Sequence, residues 1–379
     1  MSLAGRRVHL TGSAAATCDA ALLTRAHAFV SSLATGLAAR GAGLVLGAGG
    51  EPLSESGLPA TFDWTALASV AALPDPAEGW PPRRPRRFVG VASQRGLDRI
   101  PAGRRELWQG CCARRDFELV TTPPGWRMAG IIRERQLSHG DILVVLGGGA
   151  GVEHLAELYW RDGKPVVPVW AQLGAFNDDG SGGSRALHEK ALGDPGALFR
   201  LAPGAGGDTA RLQALRLEAE SDPSSLAEAT VRMLEDLMPP SAFYVRLLDP
   251  SNRDHAAVEW FFSEVVTPAI SERGYAPVQM GLGTPESMFM NVEIFRRLHR
   301  AGVVLVDLTG MRPNCTMELG YTLGRPRRVV ISAQEGTKQI FDSDKLPTHF
   351  WARSEDATGC VADYLDWFDR YVEVGPLVT

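Results

Sequence analysis

The stretch DLTGMRPNCTMELGYTLGRP, from Asp307 to Pro326, sets one carboxylate, Glu318, among other polar groups. Asp307 closes the apolar run Val303 to Val306, and Arg312, Asn314 and Tyr321 lie close by in sequence. Cleaving an N-glycosidic bond develops positive charge on the ribose ring, which a single carboxylate can stabilise or attack. One Glu suffices when the leaving group is already cationic, as nicotinamide is in NAD. Glu318 also fits a solvated acid in a helix's first turn, where the dipole favours negative charge. Residue type and spacing leave both readings standing. Asp307 likewise suits a hydrogen bond to a ribose hydroxyl or a cap on the turn that follows. Tyr321 reads as core, and His255 and His299 are isolated, so no metal site is expected.

A second constellation lies in DILVVLGGGAGVEHLAELYWRDGKPVVPVW, Asp141 to Trp170. An apolar strand ends in Gly147 to Gly151, and a helix opens at about Val152. Glycines allow positive φ and close approach of backbone to a ligand, and a helix N-terminus offers N–H groups to a phosphate. No Lys-Ser/Thr follows and the spacing is not GxGxxG, so neither a P-loop nor a dinucleotide fingerprint is present. Thr11-Gly12-Ser13 and Gly47-Ala48-Gly49-Gly50 close two further strands. On one sheet edge the three turns would form a nucleotide-sized crevice. The ligand-binding residues expected from it are Gly12, Ser13, Gly47, Gly49, Gly148, Gly149, Gly151, Val152 and Glu153.

Strand–helix alternation must position both constellations. Strands are expected at Arg7–Thr11, Gly43–Leu46, Phe88–Val91, Phe117–Thr121, Ile142–Leu146 and Val166–Trp170. Leu23, Ala26, Val30, Leu33 and Leu37 share one face of a helix over Ala20–Arg40. Ser181 to Gly207 reads as loop and Asp208 to Leu237 as one helix. Met238-Pro239-Pro240-Ser241 is a plausible boundary, after which the alternation restarts. Strands at Phe243–Leu248 and near Pro277–Met280 follow, with helices over Asp254–Arg273 (Pro268 a kink point), Pro285–Ala301 and Cys360–Val372. The aromatic run Trp260-Phe261-Phe262 belongs to the core or to a domain interface. Continuous apolar strands between helices imply mostly parallel sheets covered on both faces. The expected fold class is α/β, two tandem Rossmann-like domains over residues 1–238 and 241–379.

Composition bounds the function. The 379 residues are 45% hydrophobic and 22% charged, with a net charge of -5, which fits a globular chain and argues against general nucleic-acid binding. No apolar run reaches membrane-spanning length, and the N-terminus lacks a signal-peptide core. Five cysteines without CxxC spacing read as reduced thiols in a cytoplasmic protein. The basic run Arg83 to Arg87 reads as a solvated loop; its functional alternative is phosphate recognition near a Gly-rich sheet edge.

The opening strand with TGS, the GGGAGVEHLAE turn-helix and the GKPVVPV that follows resemble a SLOG domain over approximately residues 5–238. That group holds LOG-type phosphoribohydrolases and nucleotide-sensing modules. Its enzymes carry GGxGTxxE, but here Val152 replaces the Thr and Leu155 the Glu, with Glu153 and Glu157 out of register. The resemblance therefore implies a sensor of cyclic nucleotides or ADP-ribose-derived signals. From about residue 241 to 379 the chain is similar to TIR domains, whose CxxEL matches Cys315 to Leu319. Glu318-Leu319-Gly320-Tyr321 with Gly324-Arg325-Pro326 equally resembles the nucleoside deoxyribosyltransferase-like group. Both place a catalytic Glu at Glu318, and both break a bond at the ribose anomeric carbon.

The resemblances imply a two-domain effector of antiphage defence. A nucleotide signal would bind the first domain, drive homo-oligomerisation and release NAD cleavage by Glu318, with Asp307 and Asn314 assisting. No tightly bound cofactor is expected; the expected partners are a small nucleotide ligand and further copies of the chain. The rival readings are a constitutive nucleoside or nucleotide N-glycosidase or deoxyribosyltransferase, and a non-catalytic nucleotide-binding module.

Overall fold

The computed structural model describes residues 3, 6–75, 86–122, 128–162, 164–174, 183–194, 208–237, 241–279, 294–295, 298, 301–324, 328–338 and 345–374. The chain divides into two compact units, one running to Leu237 and the other from Met238 to Thr379. Each is an α/β unit around a parallel sheet. No helix among the described residues is long and apolar enough to cross a membrane.

The first unit contains β1 (Arg7–Ser13), α1 (Ala20–Ala39), β2 (Gly43–Gly47), α2 (Asp63–Ala71), β3 (Phe88–Ser93), α3 (Gln94–Leu97) and α4 (Arg105–Ala113). β4 (Phe117–Thr122), α5 (Met128–His139), β5 (Ile142–Gly147), α6 (Ala150–Arg161), β6 (Val166–Ala171) and α7 (Ser184–Gly193) follow. α8 (Asp208–Gln213), β7 (Arg216–Leu217) and α9 (Pro223–Leu237) complete it. The strand order is β4-β3-β2-β1-β5-β6-β7. Every strand pair is parallel. The chain steps outward from β1 to β4 and then returns to the other side of β1, so the strand order reverses between β1 and β5.

Side-chain alternation covers both faces. Val45 packs with Val89, Val91 and Ile132 of α5, so the buried neighbours Leu44 and Leu46 point to the opposite face. α1 begins where the Asp19 carboxylate accepts the Leu22 amide at 2.8 Å, an N-cap that satisfies one orphan donor. Two expectations change here. Ser184–Gly193 is helix rather than loop, and Leu187, His188 and Ala191 bury its inner face. The segment expected as one helix over Asp208–Leu237 is broken by β7. Pro223 lacks an amide to continue a ladder and starts a new helix, whose Ser225 amide is capped by Asp222 at 2.8 Å.

His9 lies at 0% exposure on β1, its Nδ1 3.1 Å from the Tyr159 hydroxyl. Burial pushes its pKa from 6.5 to about 3, so the ring stays neutral in the fold and takes a proton only on unfolding. A depressed pKa contributes stability that is present above the unfolded value and is lost as pH falls toward the folded one. Between pH 6 and 4 this group should therefore lower the unfolding free energy by about 1.4 kcal/mol per pH unit. Denaturant titrations of His9→Leu, in which Tyr159 keeps its bond to the Gln136 carbonyl, should show a slope shallower by that amount.

The second unit contains β8 (Ser241–Val245), α10 (His255–Trp260), α11 (Thr267–Glu272), β9 (Ala276–Val278) and β10 (Val303–Asp307). α12 (Pro313–Leu323), β11 (Val329–Gln334), β12 (Thr348–Trp351) and α13 (Ala357–Val374) follow. The order is β12-β11-β10-β8-β9, again with all pairs parallel. The chain direction diverges between β8 and β10. In an open sheet of this order, that pair brackets the crevice in which ligands bind.

Period-2 alternation divides this unit's core. Ala242, Tyr244, Val303 and Leu305 face Phe261, Phe262, Trp351 and Phe368, whereas Phe243, Val245, Val304 and Val306 face Cys315 and Leu319 of α12. Phe261 stacks on Trp351 at 4.3 Å between centroids, and burying one such ring stabilises the fold by roughly 1.5–3 kcal/mol. The aromatic run is therefore core. Between α10 and α11 the helix widens into a π turn over Phe261–Val266, in which the Thr267 amide bonds to Phe262 O. The widened ladder accommodates Pro268, which has no amide and would crowd a carbonyl four residues back. Most of the helix expected over Pro285–Ala301, and Met280 at the end of the expected strand, lie outside the described residues.

Candidate active site

Asp307 ends β10 at 1% exposure. Its Oδ1 accepts the Thr309 amide at 3.0 Å. Its Oδ2 accepts Ser332 Oγ at 3.0 Å and Trp351 Nε1 at 2.8 Å. Burial holds the carboxyl above the usual range, against the opposing pull of these donors. One side chain thus ties the ends of β10, β11 and β12 and caps the turn that follows. Of the two roles the sequence left open, these hydrogen bonds are those of a cap on the turn.

The turn it caps aims the next helix. Leu308 donates its amide to Ser332 O at 2.8 Å, and Thr309 Oγ1 accepts the Gln334 amide at 2.9 Å. Gly310 and Met311 then take left-handed backbone, φ 70° and 45°, uncommon for a non-glycine. Arg312 returns the chain to extended geometry, and Pro313 opens α12 with its fixed φ.

Glu318 is the sixth residue of Pro313–Leu323, beyond the first turn, so a dipole-favoured surface acid does not describe it. Buried Cys315 and Thr322 flank it at i−3 and i+4, which places it on the inward stripe. The carboxylate is half-buried and receives no hydrogen bond or ion pair among the described residues. Burial alone pushes its pKa from 4.5 up to about 7. The Cys315 thiol beneath it is raised to about 12, by burial first and then by the Glu318 and Asp307 charges, which leaves it an inert thiol. Asn314 lies one turn before Glu318 and is exposed. A desolvated, unpartnered carboxylate that titrates near neutrality is what acid–base or nucleophilic chemistry requires.

A polar chain missed in the sequence crosses the β8–β10 crevice edge. Arg246, directly after β8, donates Nη1 to Glu259 at 2.5 Å and Nη2 to Gln279 at 2.9 Å. His255 Nε2 lies 3.4 Å from the same Glu259 carboxylate, so His255 is not isolated. Asp249 approaches Arg312 at 3.4 Å. Its carboxyl is held low by the Ser251 hydroxyl and amide first, with Arg312 and His255 adding. The His–Glu spacing of four residues was a readable helical signal.

In the first unit the order β2-β1-β5 sets the three glycine turns on adjacent strand ends. Their donors are largely engaged within the chain. Gly148 N bonds to Ser13 O at 2.8 Å and Gly174 O at 3.0 Å, and Gly147 N bonds to Ser184 Oγ at 2.7 Å. Glu153 accepts the Gly183 amide at 2.5 Å. Gly47 N bonds to Asp63 at 2.8 Å, and Gly49 O accepts Trp64 Nε1 at 3.2 Å. A Cβ on Gly12 would fall on the Leu146 carbonyl oxygen, so strand packing alone requires that glycine. Gly149 and Gly151 remain at the start of α6, which has no side-chain cap, with Val152 packed over Gly148.

Arg86 and Arg87 do not reach these turns. They precede β3, at the sheet edge opposite to the strand ends, where Arg87 Nε donates to Ala42 O at 2.9 Å and Arg86 O accepts Arg7 Nε at 3.1 Å. The phosphate role allowed for this run is corrected for both. Arg83 and Arg84 lie outside the described residues. Among the described residues no group of three or more His, Cys, Asp or Glu side chains could hold a metal ion.

A family model described as ATP nucleosidase Cap17-like, N-terminal, matches residues 3–224. Two curated relatives, from Escherichia coli strain KTE188 and from Escherichia coli, are each named ATP nucleosidase Cap17. Each is 27% identical over 192 residues, which are 51% of this chain and 37% of the relative. The chain thus spans well under half the length of these relatives. The family match ends inside the first unit, so Glu318 lies beyond it.

Proposed function

From the premise that the chain belongs to the Cap17-like ATP nucleosidase N-terminal family, we propose that it is a nucleotide N-glycosidase whose second unit cleaves through Glu318. The observation that carries this reading is the Glu318 carboxylate itself: half-buried, unpartnered among the described residues, and titrating at about 7. Ionised, it stabilises or attacks the ribose C1′ as the base departs. Asp307 holds the loop that presents it, and Asn314 lies one turn away. ATP is the substrate that the relatives' names support.

NAD is the second reading. Nicotinamide departs without a proton, so a lone carboxylate suffices, and the family match does not reach the unit that holds Glu318. In both readings the first unit is a SLOG-like regulator that takes a small nucleotide signal at the start of α6, around Gly149, Gly151 and Val152. The second unit is TIR-like, or like the nucleoside deoxyribosyltransferases, on its CxxEL run. Signal binding favours a homo-oligomeric state by differential affinity, and nucleotide depletion serves antiphage defence.

The test is base release from ATP and from NAD by the purified chain, with and without cyclic nucleotides and cyclic ADP-ribose isomers, followed by liquid chromatography. Adenine appearing with ribose 5′-triphosphate, dependent on one panel member and absent in Glu318→Gln, is the expected result. Release of nicotinamide alone selects the NAD reading. Release without any signal removes the regulatory role of the first unit.

A further inference from the structure

The cluster formed by His255, Glu259, Arg246 and Asp249 has no part in the chemistry assigned to Glu318. Its placement is specific. His255 opens α10 directly after the loop from β8, and Glu318 lies on α12 after the loop from β10. Those loops touch: Arg312 reaches Asp249 at 3.4 Å, and a Cβ on Gly310 would come within 3.2 Å of Asp254 Oδ2. His255 and Glu318 therefore flank the same crevice, from the two strands at which the chain direction diverges.

The cluster also fixes the ring. Glu259 faces His255 Nε2 at 3.4 Å and is itself held at 2.5 Å by Arg246. The Arg246 side chain is 6% exposed and further anchored by Gln279 at 2.9 Å. Its guanidinium lies over the Phe262 ring at 5.1 Å. A carboxylate on one imidazole nitrogen orients the ring and leaves the other nitrogen for proton exchange. His255 Nδ1 has no partner among the described residues, and the side chain is 21% exposed.

We infer that His255 donates the proton to the departing base. This rests on Glu318 cleaving an N-glycosidic bond. A neutral purine departs poorly as an anion, whereas a cationic base departs neutral without help. In the step, the C1′–N9 electron pair passes to the purine while His255 Nδ1–H protonates its ring nitrogen, so the base leaves neutral. The ribose cation faces Glu318. Water then adds its oxygen to C1′ and loses a proton to solvent, and imidazole regains one from solvent. The sum is nucleotide plus water giving base plus ribose 5′-triphosphate.

The experiment compares ATP with two cationic-base substrates, N7-methyl-GTP and NAD, in His255→Gln, Glu259→Gln and Glu318→Gln. Gln at 255 retains a donor toward Glu259, and melting curves check that the fold survives. His255→Gln should slow ATP cleavage by roughly 100-fold or more, the contribution of a positioned acid, while leaving the cationic-base rates within about threefold. The descending limb of the wild-type pH profile on ATP should disappear in the same variant. Glu259→Gln should show a smaller loss, also confined to ATP. Equal losses on neutral and cationic bases, an unchanged ATP rate, or a retained descending limb would each overturn the assignment. Glu318→Gln separates the two claims: if it cleaves all substrates normally, or if the wild type releases no base at all, the N-glycosidase reading fails and His255 fails with it.

Discussion

Glu318→Gln should lower base release by about three orders of magnitude, on ATP and on any cationic-base nucleotide alike. Gln matches the shape of Glu but carries no charge, so the ribose cation loses its facing carboxylate in a site where water screens little. Removal of a preorganised electrostatic partner costs about 10²–10³ in rate, and that is the task assigned to Glu318. The pH profile adds a second readout. The carboxylate must be ionised, and burial places its pKa at about 7, so kcat/KM should rise with pH through neutrality in the wild type. Loss of rate with this ascending limb intact in the residual activity would place the chemistry on another group.

The same pKa makes a claim on stability. A carboxyl raised above its unfolded value contributes stability that is full below about 4.5 and is lost as pH rises through about 7. At pH 8 the ionised Glu318 is therefore a burden on the fold, and Gln removes it. The variant should melt no lower than wild type at pH 8, and the difference between them should narrow toward pH 5. An inactive protein that is equally or more stable is the signature of a residue kept for chemistry rather than for folding. A variant that is both inactive and unfolded would remove that argument.

The apolar strands were legible because both faces of each sheet are covered, so β5 and β10 read as unbroken hydrophobic runs bounded by Gly or Asp. Glu318 was legible through its local run, since the helix that carries it starts at Pro313. What stayed hidden came from distant pairings. Asp307 is held by Ser332 and Trp351, and no local pattern announces partners that far along the chain. α7 hid among glycines, because its short buried face of Leu187, His188 and Ala191 sits in a stretch whose composition reads as loop. His255 looked isolated although Glu259 stands four residues on in the same helix; what stayed hidden is Arg246, just past the preceding strand, which holds that Glu259. The glycines misled in a different way. Gly12 and Gly47 are explained by how closely a strand and a helix approach them, a demand that looks the same in sequence as room for a phosphate.

Asp307→Ala should cost the fold about 3–5 kcal/mol, the largest stability effect expected in the second unit. Three donors converge on that carboxylate: the Thr309 amide, the Ser332 hydroxyl and the Trp351 indole. A buried donor left without an acceptor costs about 1–3 kcal/mol, and relief of the buried carboxylate's own desolvation offsets part of the sum. Asp307→Asn keeps one acceptor oxygen but turns an amide toward donors, so it should lose less, about 1–2 kcal/mol. Urea titrations of both variants measure these values. They also decide between the two roles that residue type left open. If Asp307 caps and ties the strand ends, stability and activity should fall together, and lowering the temperature should recover much of the Asn variant's rate as the Thr309–Arg312 turn reforms. If instead Asp307 bonds a ribose hydroxyl, the Asn variant should keep its stability and lose activity at every temperature. An exposure of 1%, with both oxygens already engaged, favours the first outcome, and it makes the turn that aims α12 depend on a residue that need not touch substrate.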